Sequence, residues 1–189
     1  GAKVTGAGTS TITIEGVEKL GKCHIDVIPD RIEAGTYIVL GALIGKNLKI
    51  ENINPEHLEN LLTKLKNMNA DIEIGENYIN ISAKEELNPI DVQTLGYPGF
   101  PTDLQQPLVT LLTQCNGVSN LEETIYENRF QNIPYLNEMG ANIEINGKSI
   151  KINGPSKLVG KEVKATDLRA GACLILAGLK ADGETVVTN

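Results

Sequence analysis

The segment LKNMNADIEIGENYINI at residues 65–81 returns, with substitutions, as LNEMGANIEINGKSIKI at residues 136–152. A chain that repeats itself at this distance is built from copies of one supersecondary unit, each burying its apolar face against a neighbour. The opening residues, GAKVTGAGTSTITIEG (1–16), match the end of the same unit, with Gly1-Ala2 falling on Gly140-Ala141. After Lys164 a third copy begins with ATDLRAGACLILAGLKADGETVVTN and stops before any GANIEI element. The expected organisation is the tail of a preceding repeat at 1–16 and one domain at 17–189, with repeats 17–88 and 89–158 and a truncated repeat 159–189. On this reading the chain is a fragment.

The pattern inside one copy predicts its elements. CHIDVI (23–28) reads as a short strand, DRIEAGTYIVLGALI (30–44) as an apolar helix, and LKIENI (48–53) as a strand. NPEHLENLLTKLKNMN (54–69) reads as an amphipathic helix with Asn54 as N-cap and Pro55 in the first turn. DIEIG and YINIS then alternate as a hairpin. The second copy follows in the same order, from IDVQTL through TDLQQPLVTLLTQC, an amphipathic helix, to SIKIN. The expected class is therefore α/β (α+β), assembled from βαβαββ units.

Superposing the copies brings Asp30, Asp103 and Asp167 to one equivalent point, the start of the first helix. Thr102 with Gln105 reads as a capping box and Thr166 as the cap of the third helix, which would leave each following acid in a first turn favoured by the helix dipole. Helix-start acids are common for that reason alone. If the helices pack side by side, however, their free N–H groups gather at one rim that suits an anionic ligand. The loop before Asp103, GYPGFP (96–101), is stiffened by two prolines.

Charge and residue usage narrow the chemistry. The formal net charge is −7, from 24 acidic and 17 basic residues, with no Lys/Arg cluster interleaved with aromatics, so nucleic acid is not an expected partner. No apolar run approaches the length of a bilayer span and the first residues carry no signal-peptide pattern, which points to a cytoplasmic protein without a membrane partner. Two histidines and three scattered cysteines signal no metal centre, no Ser-His-Asp triad and no disulfide framework. GALIGKN (41–47) imitates a phosphate loop, but its glycines are one residue too close and it ends a helix instead of opening one. Cys115 reads as a buried thiol and not a nucleophile. Of the 17 basic residues only Arg31, Arg129 and Arg169 are arginine. A planar fork suits carboxylate or phosphate, although structural salt bridging is the other use for each. Arg31 lies between Asp30 and Glu33 and reads as a member of a structural or interdomain ion pair.

Four motifs in order, IPDRIEAGTY (28–37), PGFPTDLQQP (98–107), ETIYENRF (123–130) and ATDLRAGACLILAG (165–178), resemble the UDP-N-acetylglucosamine 1-carboxyvinyltransferases, the enolpyruvyl transferases of peptidoglycan precursor synthesis. The resemblance covers the whole chain and implies the enolpyruvyl transferase inside-out α/β barrel, with this chain falling in roughly the C-terminal half of a two-domain enzyme. It implies phosphoenolpyruvate and UDP-N-acetylglucosamine as substrates, no metal or organic cofactor, and a missing N-terminal domain as partner. By the same resemblance Asp103 is the catalytic acid that hydrogen-bonds the reacting sugar hydroxyl, and the main chain of Ile125 contacts the UDP-sugar. Arg169 touches anionic ligand or the opposing domain, and Arg129, Asp167, Asp30 and Arg31 support the site. Two other readings stay open: a 3-phosphoshikimate 1-carboxyvinyltransferase, which shares the fold and chemistry, and a non-catalytic binding module that uses the repeat only for packing.

Overall fold

A computed structural model describes residues 1–188 of the chain. The first strands, β1 (Lys3–Thr5) and β2 (Thr13–Glu15), form an exposed antiparallel hairpin. Helix α1 (Arg31–Ile44) follows, then β3 (Leu48–Glu51), a 3-10 turn at Pro55–Leu58 leading into α2 (Glu59–Asn67), and the hairpin β4 (Asp71–Ile74) and β5 (Tyr78–Ser82). The next unit runs through β6 (Asp91–Gln93), a 3-10 turn at Thr102–Leu104, α3 (Gln105–Leu112), β7 (Gly117–Glu122), α4 (Ile133–Glu138), β8 (Ile143–Asn146) and β9 (Ser149–Gly154). Last come β10 (Glu162–Lys164), α5 (Leu168–Lys180) and β11 (Val186–Thr188).

The duplication is visible in the sheet order. The first unit pairs as β3-β5-β4, all antiparallel, and the second as β6-β7-β9-β8, in which β7-β9-β8 repeats the first arrangement and β6 adds a parallel edge. β10 and β11 repeat that parallel pair. The second unit is thus a complete βαβαββ unit. The strand expected at CHIDVI does not form. Residues 23–28 are exposed throughout, with Ile25 and Val27 in solvent, because a run of β-formers without a partner edge or an apolar surface gains too little to order as sheet.

Helix α3 occupies the centre. All eight of its residues are buried, so it is enclosed on every side and not amphipathic as its sequence suggests. It packs against both α1 and α5, which also touch each other. Leu104, Leu108, Leu111 and Leu112 are fully buried there, each contributing about 1.5–3 kcal/mol by leaving water. The contacts are close. A Cβ on Gly35 of α1 would lie 2.6 Å from Leu104, and one on Gly41 would overlap the Ile81 side chain of β5. Among the described residues no helix is long and apolar enough to cross a membrane.

The Gly41 contact gives a stability test. Alanine there gains about 1 kcal/mol of helix propensity, but it drives a methyl into a fully buried, β-branched side chain whose displacement costs about 1–3 kcal/mol or more. Gly41→Ala is therefore expected to lower the urea unfolding midpoint, and a raised midpoint would show that α1 does not approach β5 this closely.

Candidate active site

The loop before Asp103 is held at both ends. Thr94 and Phe100 form a parallel bridge, the Leu95 N–H donates to the Phe100 carbonyl at 3.0 Å, and the Gly99 N–H donates to the Gly96 carbonyl at 2.8 Å. Phe100 is buried, and the Asn60 side-chain amide donates to the carbonyl of Pro98. These contacts deliver the 3-10 turn at Thr102–Leu104 to the head of the enclosed helix α3. The expected capping box is absent, since neither this turn nor α3 has a side-chain cap. The Thr102 hydroxyl instead donates to Glu123 Oε2 at 2.8 Å, and Gln105 is buried.

The segment after β7 meets this turn. The Arg129 side chain, only 9% exposed, donates from Nη2 to Asp103 Oδ1 at 2.5 Å, and its guanidinium lies 4.7 Å from the centre of the Tyr126 ring. Gln106 of α3 donates to the Arg129 carbonyl at 3.1 Å. Arg169, in the first turn of α5, brings Nε to 3.4 Å from the same Asp103 oxygen. Both arginines thus engage Oδ1, and Oδ2 accepts no hydrogen bond from the described residues. The Asp103 side chain is 42% exposed and faces an open cleft of about 440 Å³ lined also by Tyr126, Asn128, Asp167 and Arg169.

Asp167, not Thr166, caps α5: its Oδ1 accepts from the Arg169 and Ala170 amides at 2.7 and 3.0 Å. Burial pushes its carboxyl upward, but those two amides, the Gln106 amide and the Arg129 charge prevail and hold it below the usual range. Asp30 caps α1 in the same way, accepting from Ile32 and Glu33. Its end of α1 shares a second groove with Arg169, so the starts of α1, α3 and α5 do converge on one rim. Arg31 departs from expectation. It makes no ion pair with Asp30 or Glu33, and its guanidinium stacks 5.1 Å from the centre of the Tyr97 ring, because the Asp30 carboxylate is already engaged by backbone amides.

Ile125 is half exposed and its N–H donates to Glu123 Oε1 at 2.8 Å, while the adjacent Tyr126 lines the cleft. Sequence reasoning missed Glu123, which is 1% exposed and accepts from the Thr94 and Thr102 hydroxyls and from the Ile125 and Tyr126 amides. A signal was present: Ser119 and Leu121 face inward on β7, and Glu123 continues that period-2 register with an acid. The thiols behave as expected of buried groups, with Cys115 pushed up to about 12 and Cys173 to about 11 by burial. GALIGKN closes α1, with Gly45 as its C-cap.

Residues 1–189 match the family profile of EPSP synthase (3-phosphoshikimate 1-carboxyvinyltransferase), and the chain belongs to that family. It is 52% identical over 189 residues to UDP-N-acetylglucosamine 1-carboxyvinyltransferase 2 of Bacillus subtilis, covering 100% of this chain and 44% of that relative. It is 50% identical over 188 residues to the protein of the same name from Geobacillus kaustophilus, again covering 44% of its length. Among solved structures it superposes on the enolpyruvyl transferase NikO from Streptomyces tendae with a TM-score of 0.91 at 28% identity, covering 100% of this chain and 46% of that one. The chain therefore spans less than half the length of the relatives it matches.

The Asp167 cap predicts a pH signature. A carboxyl held below its unfolded value contributes stability that is fully present above that unfolded value and is lost as pH falls through the folded one. An asparagine in its place would keep the capping geometry without the charge. The stability gap between the wild type and Asp167→Asn, measured by urea unfolding from neutral to acid pH, is expected to close on acidification, and a gap that widens would contradict the cap.

Proposed function

We propose that this chain is part of a UDP-N-acetylglucosamine 1-carboxyvinyltransferase, falling in its C-terminal half, and that it carries the sugar-nucleotide side of the active site. The observation that carries this reading is Asp103, clamped through one carboxylate oxygen by two arginines and lining an open cleft. The relatives at about half identity bearing that enzyme's name support the choice of substrate. The reaction adds the sugar 3-hydroxyl to C2 of phosphoenolpyruvate through a tetrahedral ketal and then eliminates phosphate, without metal or organic cofactor. Asp103 Oδ2 accepts the hydrogen bond of that hydroxyl, orients it and takes its proton as the C–O bond forms. The positive charge of Arg129 and Arg169 balances Asp103 and Asp167, and Arg169, the less buried of the two arginines, is the one able to turn toward anionic substrate or the opposing domain. The Ile125 main chain lies beside the UDP-sugar, and Asp30 and Arg31 brace the rim. The group that protonates phosphoenolpyruvate comes from the N-terminal domain outside this chain. Residues 1–16 are the tail of a preceding repeat and 17–189 one domain.

The 3-phosphoshikimate reading is kept because the family profile carries that name. Phosphate release by the full-length enzyme separates them: turnover is expected with UDP-N-acetylglucosamine and not with shikimate 3-phosphate, and the reverse result would move the assignment. In the same assay Asp103→Asn is expected to lower kcat by about 10²–10⁴-fold, the usual contribution of a positioned proton acceptor. A variant with near-native turnover would favour the non-catalytic binding module. The 189-residue chain alone is expected to release no phosphate, since it lacks the phosphoenolpyruvate side of the site.

A further inference from the structure

We propose that Glu123 is a positioning residue for Asp103, an inference that rests on the functional reading above. Two segments frame the cleft, residues 94–104 before α3 and residues 123–132 after β7, and the Thr94 N–H ties the first to the Glu122 carbonyl at the end of β7 at 2.9 Å. Two rungs join them beside the site. One is the Thr102 hydroxyl on Glu123 Oε2 at 2.8 Å, and the other is Arg129 on Asp103 at 2.5 Å. Thr102 and Asp103 are consecutive, so the Glu123 rung fixes the backbone from which the reacting carboxylate projects.

The other oxygen of Glu123 fixes the opposite segment. Oε1 accepts from the Thr94 hydroxyl at 2.7 Å and from the Ile125 and Tyr126 amides at 2.8 and 3.0 Å. The Thr94 hydroxyl accepts in turn from the Thr124 amide at 2.9 Å, and the Glu123 amide donates to the Lys148 carbonyl at 2.8 Å. A carboxylate that is 1% exposed is costly to bury unless its lone pairs are filled, and here four donors, two from each segment, fill them. Removing it frees the Thr102 turn and the Tyr126 segment together. Arg129, further along that segment, then loses its fixed aim at Asp103. Glu123 holds the cleft-lining Tyr126 by its amide but does not itself line the cleft, so its effect on rate passes through Asp103.

The test uses the full-length enzyme and phosphate release. Glu123→Ala is expected to lower kcat by about 10²-fold, the cost of misplacing a catalytic group by about an ångström, with a smaller change in KM for the sugar nucleotide. Glu123→Gln, which keeps Oε1 for the three clustered donors and lets the Thr102 hydroxyl turn to accept from its amide, is expected to recover most of that rate. Added to Asp103→Asn, Glu123→Ala is expected to lower the single-turnover rate by less than roughly threefold, since residues acting as one unit are not additive. Should Glu123→Ala fail to fold, Thr102→Val cuts only the Oε2 rung and is expected to lower kcat by roughly tenfold at little-changed KM. Full kcat in folded Glu123→Ala or in Thr102→Val, or an undiminished Glu123→Ala effect in the Asp103→Asn background, would overturn the inference while leaving the functional reading intact. A wild-type enzyme that releases no phosphate with UDP-N-acetylglucosamine would remove both.

Discussion

Everything at the rim depends on the enclosure of α3. A helix with no solvent face has no direction in which to relax, since close-packed neighbours on every side transmit strain instead of absorbing it. α1 presses against its entry at Leu104, where Gly35 leaves room for nothing larger, and α5 receives the Thr110 hydroxyl at the Cys173 carbonyl at 3.1 Å. Asp103 therefore projects from a support fixed by the hydrophobic core. A site carried on such a support holds its geometry better than one carried on a free loop.

The electrostatics of the rim differ from what three converging helix starts suggest. Asp30 and Asp167 each fold back onto the first amides of their own helices and neutralise the positive ends of α1 and α5. The positive charge at the cleft then comes from Arg129 and Arg169, and Asp103 and Asp167 balance it there. Arg129 reaches Asp103 with a side chain that is almost wholly buried and has Tyr126 against its guanidinium, which fixes the planar fork more firmly than a lysine could be fixed. Two of the three arginines thus meet a carboxylate, the contact that either planar-fork recognition or a structural salt bridge would make. At the third, Arg31 uses its face on an aromatic ring, a contact that Tyr97, in the following repeat, gives no local hint of.

Most of the architecture was legible because repetition supplies a second reading of every element. The hairpins, the Asn54 cap with Pro55 behind it, and the helix at 30–44 all follow from local periodicity and capping chemistry. What failed did so where a distant partner decides. CHIDVI has strand composition and no edge to join. Thr102 and Thr166 have the spacing of caps, yet one hydroxyl is claimed by Glu123 and the other is bypassed by the better-placed Asp167. Glu123 itself could be found only by following the inward register of β7 past its end and asking why an acid stands there.

The three equivalent acids show where duplication stops serving the scaffold. Asp30 and Asp167 keep the role that any helix start rewards, with extended backbone at the cap position. At Asp103 the chain inserts a 3-10 turn between Pro101 and α3, and neither that turn nor the helix receives a side-chain cap. The lost cap must be compensated, and it is: the turn is tied to Glu123, and the acid is held by arginines from two other segments. A repeat that only had to pack would have kept three identical caps. The one copy that breaks the rule does so at the cost of a buried carboxylate and a buried guanidinium to support it, and a local departure from an otherwise consistent fold is where a functional position is to be sought.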